Sequence, residues 1–291
     1  MYELIKVKNN TYYINSPAKI GLYVDGTDAY LIDSGNDKDA GKKVKKILDE
    51  NCWSLKLIIN THSNADHIGG NKYLQSQTGC KIYSKGMEIA FTNSPILEPA
   101  FLNGAYPSKD LLHKFLFADA SVCENIENAQ LPDGFEIINL PGHFFDMIGI
   151  RTPDDVLFIA DSISSAMTLE KYGIGFIYDI KAYLETLDLL ETLSANVFVP
   201  SHADATDNLH DIVDTNRKKV FEIIDTVKDY IKVPCTFEDL LAHMFDKYNL
   251  TMTNEQYALV GSTVKSYLSY LKNNGDAESY FEYNKMYWKS I

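Results

Sequence analysis

The chain has 291 residues, 45% of them hydrophobic, which suffices for a full core in one large domain with a smaller one beside it. Its 27 Lys and Arg against 40 Asp and Glu give a net charge of −13, so binding through nucleic-acid phosphates is not expected and small-molecule chemistry is. No apolar run reaches the roughly 18 residues of a membrane span, and MYELIKVKNNTYYI lacks the zones of a signal peptide, so a cytoplasmic protein is expected.

In chain order, residues 39–50 carry helical apolar spacing, and residues 55–60 form an apolar strand-like run that stops at Thr61-His62. The segment FTNSPILEPAFLNGAYPSKDLLHKFLFADASV follows; its first half reads as loop and residues 110–117 as a short helix. Three more strand-like runs stop at polar residues: residues 135–140 before Pro141-Gly142-His143, residues 156–160 before Asp161, and residues 197–200 before Ser201-His202. Residues 208–232 again have helical spacing. Beyond Val233-Pro234 a helix starts at Thr236, one or two further helices end at Gly275, and strand-like pieces lie near residues 280–283 and 286–289. Cys52, Cys80, Cys123 and Cys235 are scattered without CxxC spacing and read as reduced, structural cysteines.

Four of the seven His, namely His62, His67, His143 and His202, lie at the four stops. Strands of one sheet that each deliver such a residue to the same edge bring them to one point without disturbing the core. A single His after a strand is an ordinary hydrogen-bonding residue, and Asp161 alone would serve as a helix cap. Taken together, the four stops point to a metal site.

The order His62-Ser63-Asn64-Ala65-Asp66-His67 with Gly69-Gly70, then Pro141-Gly142-His143, Asp161 and Pro200-Ser201-His202 resembles the metallo-β-lactamase superfamily of hydrolases. Residues 30–35, YLIDSG, resemble the family's second strand; Asp33 at its end reads either as a site residue or as a turn and cap residue. The resemblance covers about residues 10–230. It implies an α/β (α+β) fold, a four-layer αββα sandwich over residues 1–232 with an insert or lid at about 86–130. Residues 233–291 resemble the winged-helix-like tail that some members append, with three helices and a hairpin.

Carried over by position, His62, residue 64 and His143 hold a first metal, Asp66, His67 and His202 a second, and Asp161 bridges them. A metal-bound hydroxide is then the nucleophile, with Asp66 orienting it. Zinc is the implied metal, one or two per chain, with iron or manganese as alternatives that the donor set admits. Asn64 stands where the family usually has His. Its amide oxygen is a poorer zinc donor than imidazole, so two unequal sites are expected; equally, Asn64 leaves the shell and only hydrogen-bonds nearby.

The resemblance places the insert over the active site, which makes Phe101, Tyr106, Lys114 and Phe115 candidate pocket residues, with Lys171 and Tyr172 on a second wall. Any one of these aromatics equally packs the insert onto the sandwich. The tail, with 5 Lys and 7 Asp or Glu over residues 235–291, has no nucleic-acid charge pattern and reads as a packing or homodimerisation module, with His243 as a helix residue. The expected function is hydrolysis of a small-molecule ester, thioester, lactone or phosphoester. A nuclease of the same superfamily, an iron-dependent redox member and a non-catalytic metal-binding sensor or scaffold are the alternatives.

Overall fold

The computed structural model describes residues 2–291. Strands β1 (Glu3–Lys8), β2 (Thr11–Asn15), β3 (Ile20–Asp25) and β4 (Asp28–Ile32) form an antiparallel meander. Helix α1 (Lys38–Glu50) leads to β5 (Ser54–Ile59), then α2 (Ala65–Ile68), α3 (Asn71–Thr78) and β6 (Lys81–Ser84). Helices α4 (Gly86–Asn93) and α5 (Leu97–Asn103) precede β7 (Cys123–Asn125). The first sheet has the order β1-β2-β3-β4-β5-β6-β7, with β4 to β7 parallel.

The second sheet contains β8 (Glu136–Asn139), β9 (Ile148–Arg151), β10 (Val156–Ser164) and β11 (Val197–His202), in the order β11-β10-β9-β8. Helices α6 (Ala166–Tyr172) and α7 (Ile180–Thr192) lie between β10 and β11, and α8 (His210–Tyr230) follows. The chain ends with α9 (Phe237–Lys247), α10 (Asn254–Asn273) and the hairpin β12 (Ala277–Glu282) and β13 (Lys285–Ser290).

Alternating apolar residues build this layering. Ile32, Leu57 and Ile59 of the first sheet meet Ile148, Ile150 and Phe158 of the second in one buried cluster between the sheets. The outer face of the first sheet, through Leu31 and Ile58, packs on Val44 and Leu48 of α1 and Leu74 of α3. On the far side, Leu157 and Ile159 pack with residues of α7, α8, α9 and α10 in a third cluster. The result is the αββα sandwich, and residues on both sides of position 232 share that last cluster.

Local chemistry explains the elements. Asp37 caps α1 by accepting from the Ala40 N–H at 2.9 Å, and Ala40, Val44 and Leu48 recur at helical spacing on its buried face. Thr236 and Asp239 form a reciprocal capping box at the start of α9. Tyr283 and Asn284 both take positive φ, 49° and 61°, as the tight turn between β12 and β13 requires.

Several expectations need correction. The first half of the insert is not loop but α4 and α5: Pro99 falls in the first turn of α5, where a missing N–H leaves no helical bond unmade. Residues 110–117 do not form a helix. A three-residue 3-10 turn, Lys109–Leu111, is followed by a bend in which Leu116 N–H and Phe117 N–H both donate to the His113 carbonyl, and Leu111 and Leu116 are buried beside Ala258 of α10. Beyond residue 233 there are two helices and a hairpin rather than three helices. Strand β10 does not stop before Asp161 but runs through it to Ser164, and β11 runs through His202. Cys80, Cys123 and Cys235 are buried and Cys52 is exposed; all four are free thiols.

Candidate metal centre

Seven side chains converge at one edge of the two sheets. His62 follows β5, Asn64 stands at the N-terminal boundary of α2 without capping it, and Asp66 and His67 lie on α2. His143 sits in the β8–β9 connection, where Gly142 takes φ +120° and passes so close to Tyr183 that any Cβ would overlap its backbone. Asp161 follows a bulge: Ala160 has φ +50°, the β10–β11 register shifts on either side of it, and Ala160 faces the same cluster as Ile159.

The donor atoms fall into two sets, His62 with His143 and Asp161, and Asp66 with His67 and His202, all within 4.8 Å of one another in each. Asp161 stands between them, with Oδ2 at 3.6 Å from His143 Nε2 and 3.2 Å from His202 Nε2, and Oδ1 at 3.2 Å from His67 Nε2. Asp66 Oδ2 lies 3.4 Å from His202 Nε2 and 3.7 Å from His67 Nε2.

The imidazoles are held with Nε2 toward the centre. His143 Nδ1 donates to the Phe176 carbonyl at 3.0 Å, His202 Nδ1 to the Pro17 carbonyl at 3.1 Å, and His67 Nδ1 to Asp33 Oδ2 at 2.8 Å. Thr61 donates its hydroxyl proton to the same Asp33 oxygen at 2.7 Å, so its oxygen is left to accept from His62 Nδ1 at 3.1 Å. Asp33 Oδ1 accepts from the Thr61 N–H at 2.8 Å. Asp33 thus orients two of the four imidazoles, one directly and one through Thr61. It does not cap α1; Asp37 does.

Asn64 is pinned from behind. Its Nδ2 donates to Oε1 of the buried Glu98 at 2.8 Å, and its Oδ1 lies 3.2 Å from His143 Nε2. Because the His143 proton is committed to Phe176, two acceptors face each other there, at about the 3.3 Å separation of two ligands around one tetrahedral zinc. Glu88, fully buried beneath the motif, accepts from the Ser63 N–H at 3.0 Å, the Ser63 hydroxyl at 2.6 Å and the Asp146 N–H at 2.9 Å. It ties the His62–His67 loop to the loop that carries His143.

Electrostatics follow from burial and proximity. Burial opposes ionisation of Asp161, yet His202 and His67 hold its carboxyl well below the usual range, and Asp66 is lowered in the same way by His67 and His202. The Asp161 carboxylate pushes His202 up to about 10 against its burial. Burial lowers His62 and His143. Burial raises Glu88 to about 7 and holds Glu98 well above the carboxylate range.

A metal is compatible with this donor set. Among the described residues His62 Nε2, His67 Nε2 and Asp161 Oδ1 are buried without a hydrogen-bond partner, and imidazole with carboxylate suits zinc, iron or manganese.

The structure does not bring all the pocket candidates to the centre. Phe115 and Tyr172 line the adjoining cavity, while Tyr106, Lys114, Lys171 and Phe101 do not. Tyr106 is 80% exposed, Lys114 pairs outward with Asp37 at 3.0 Å, and Lys171 donates to the Tyr172 hydroxyl at 3.2 Å. Phe101 packs among Phe91, Phe144, Phe145 and Tyr178. His243 stacks on Tyr230, with ring centroids 4.0 Å apart. Glu88 and Glu98 had no sequence signal beyond an acid in an otherwise apolar helix.

An αββα sandwich that gathers His and Asp donors at one sheet edge defines a class of metal-centre proteins. The chain belongs to the metallo-beta-lactamase superfamily, whose family model matches residues 15–202. It is 26% identical over 200 residues to "Lactamase-like protein nscB" of Aspergillus fumigatus, covering 65% of this chain and 51% of that one. Against a "Hydroxyacylglutathione hydrolase" of Pelagibacter ubique it is 27% identical over 144 residues, 49% of this chain and 48% of that one. The match thus spans about half the length of each of these two relatives.

Among solved structures, a beta-lactamase domain protein from Burkholderia ambifaria superposes with a TM-score of 0.75 at 14% identity, covering 99% of this chain and 94% of the other. A metallo-beta-lactamase family protein from Thermus thermophilus gives 0.72 at 16% identity, covering 97% and 99%. At these identities the likeness shows the fold, and it extends over the C-terminal helices and hairpin.

Proposed function

We propose that the protein is a metal-dependent hydrolase that cleaves a small-molecule ester, thioester, lactone or phosphoester with zinc held in two unequal sites. The observation that carries this reading is Asp161, whose two oxygens face donor nitrogens of both sets while His62 Nε2 and His67 Nε2 have no hydrogen-bond partner among the described residues. His62, His143 and the Asn64 oxygen would hold the first ion, Asp66, His67 and His202 the second, and Asp161 both. When bound, such a pair polarises a carbonyl or phosphoryl oxygen and makes a water acidic enough to yield hydroxide near neutral pH.

The residues of the chain do the rest. Asp66, the more exposed of the two carboxylates of the centre, would orient the attacking water by accepting its hydrogen bond. Asp33 and Thr61 fix the imidazoles in the tautomer that leaves Nε2 free. Glu98 turns the Asn64 oxygen inward. The names of the curated relatives, one a hydrolase and one lactamase-like, support the reaction class.

The test is reconstitution of the purified protein with zinc, manganese or iron, followed by turnover of ester, thioester and phosphodiester substrates. Turnover that Asp66→Ala and His202→Ala abolish, with folding intact, is the expected result. No turnover with any metal favours the sensor or scaffold reading.

A further inference from the structure

The metal centre opens into a cavity of about 380 Å³ that the reaction itself does not require. Leu102 of α5, Ile174 and Phe176 beyond α6, Ile223 of α8 and Leu259 of α10 line it, so the C-terminal helix α10 supplies one wall. The metal donors Asn64, Asp66, His143, Asp161 and His202 line it too, which makes the cavity continuous with the site of bond cleavage. Its size is that of a small-molecule pocket, and its chemistry decides what enters.

Apart from the metal donors, three charged residues line it: Glu98, Lys219 and Glu255. Lys219 is paired with Glu222 at 3.1 Å and sits 4.4 Å from the centre of the Tyr248 ring; Glu255 lies 3.5 Å from His113, and Glu98 accepts from Asn64. No uncommitted cation remains among the described lining residues. A phosphate or carboxylate in the cavity would find no free cation there, because the polar side chains that remain, Ser164, Thr168, Asn216 and Gln256, are uncharged.

One wholly buried hydroxyl of the lining is left open. Tyr267 of α10 is wholly buried, its hydroxyl has no hydrogen-bond partner among the described residues, and it lines the cavity. Buried hydroxyls are as a rule paired. Its polar neighbours are already used: Tyr183 donates to Asn216 Oδ1 at 3.3 Å, while the Asn216 amide donates to the Ser164 and Ile212 carbonyls, each at 2.8 Å. Tyr267 stands on α10, an element that carries none of the metal donors, so its side of the cavity is not the side where they gather.

We propose that this cavity is an acyl site. It receives the uncharged, bulky aliphatic or aromatic acyl group of an ester, thioester or lactone, on the order of ten non-hydrogen atoms, and Tyr267 donates a hydrogen bond to an oxygen far from the scissile carbonyl. The assignment rests on the hydrolase reading and narrows it to carboxylic acyl substrates. In the reaction, the water oxygen bonds to the acyl carbon, the C–S or C–O bond breaks, and the leaving thiol or alcohol departs with a proton.

The experiment uses the full chain loaded with zinc and the S-ethyl thioesters of acetate, octanoate, 7-oxooctanoate and hemisuccinate, followed by thiol release. Calorimetry with 2-octanone and 2,7-octanedione measures binding without turnover. Octanoyl is expected to exceed acetyl and hemisuccinyl at least tenfold in kcat/KM, and Ile223→Trp or the milder Leu259→Phe to cut the octanoyl-to-acetyl ratio several-fold. Tyr267→Phe is expected to lower kcat/KM for 7-oxooctanoyl about fivefold more than for octanoyl, to weaken the dione but not the monoketone, and to raise the unfolding midpoint of the ligand-free protein. Cleavage of all four thioesters at similar rates, or a preference for hemisuccinyl, overturns the acyl site while leaving the hydrolase reading intact. Ketone binding that the cavity variants weaken, with no thioester cleaved, supports the acyl site and removes the hydrolase reading.

Discussion

Replacing Asp33 with asparagine changes one atom at the hub of the centre. Asp33 has φ +64°, a backbone conformation that Asn tolerates, so the perturbation is confined to the carboxylate. Its Oδ2 accepts from Thr61 Oγ1 and His67 Nδ1 at 2.7 and 2.8 Å, and its Oδ1 from the Thr61 N–H at 2.8 Å. An amide offers one acceptor, so in either orientation its NH2 meets a buried donor and at least one hydrogen bond to a charged group is lost. That loss, with a donor left unpaired, costs about 2–3 kcal/mol. Loss of the partner that orients a ligating imidazole weakens metal binding by about 10–100-fold. With its oxygen in the Oδ2 position the amide still accepts from His67 Nδ1 and Thr61 Oγ1 but without the carboxylate's charge; His67 feels that directly and His62 only through Thr61, so the second site weakens more. Competition against a chromophoric zinc chelator reads the affinity, and urea unfolding of the metal-free variant reads the stability. An Asp33→Asn protein with both affinities within twofold of wild type and an unchanged urea midpoint would refute the orienting role.

Further outcomes follow from the same contacts. Glu98→Leu frees the Asn64 amide and should lower affinity at the first site about tenfold, with the second unchanged, by calorimetric zinc titration. Asn64→His restores an imidazole donor and should tighten the first site, so that two zinc ions survive dialysis. Gly142→Ala forces a Cβ into the Tyr183 backbone at φ +120°, and should cost at least about 2 kcal/mol in urea unfolding and weaken the His143 site.

Glu88 gives a pH signature. Its folded pKa is raised from 4.5 to about 7, so the folded protein holds a proton that the unfolded chain has released. Its contribution to stability is therefore present below about 4.5 and lost as pH rises toward about 7. The loss is on the order of 3 kcal/mol. Across this window the stability of wild type should fall relative to Glu88→Gln by about that amount in urea unfolding; parallel curves would contradict the shift.

The layers of the sandwich and His62, His143, Asp161 and His202 were legible because strands declare themselves as apolar runs that stop at these residues; Asn64, Asp66 and His67 were legible from the motif that follows the first stop. The bulge at Ala160 was not legible: Ala is an ordinary residue, and only the register with β11 forces it to φ +50°. The helices of the insert were not legible because Pro99, which suggests a break, stands in the first turn of a helix. At residues 110–117 the local apolar spacing gave way to burial of Leu111 and Leu116 against α10, a contact between residues more than 140 apart. Asp33 carried a signal, an acid after a strand, but its choice between turn and orienting residue depends on where His67 arrives. Glu88 and Glu98 serve the site through buried hydrogen bonds that no local pattern encodes, and exposed Tyr106 and Lys114 resemble pocket residues only in composition.

The most direct test of the two-site centre is anomalous scattering at the zinc edge from crystals of the native protein, with zinc counted per chain in solution. Two ions are expected, both near Asp161, the one at Asp66, His67 and His202 full and the other partly occupied with Asn64 Oδ1 at about 2.0–2.2 Å. A single ion, or two equally full sites with the Asn64 amide turned away from the metal, would contradict the unequal, Asn64-ligated centre.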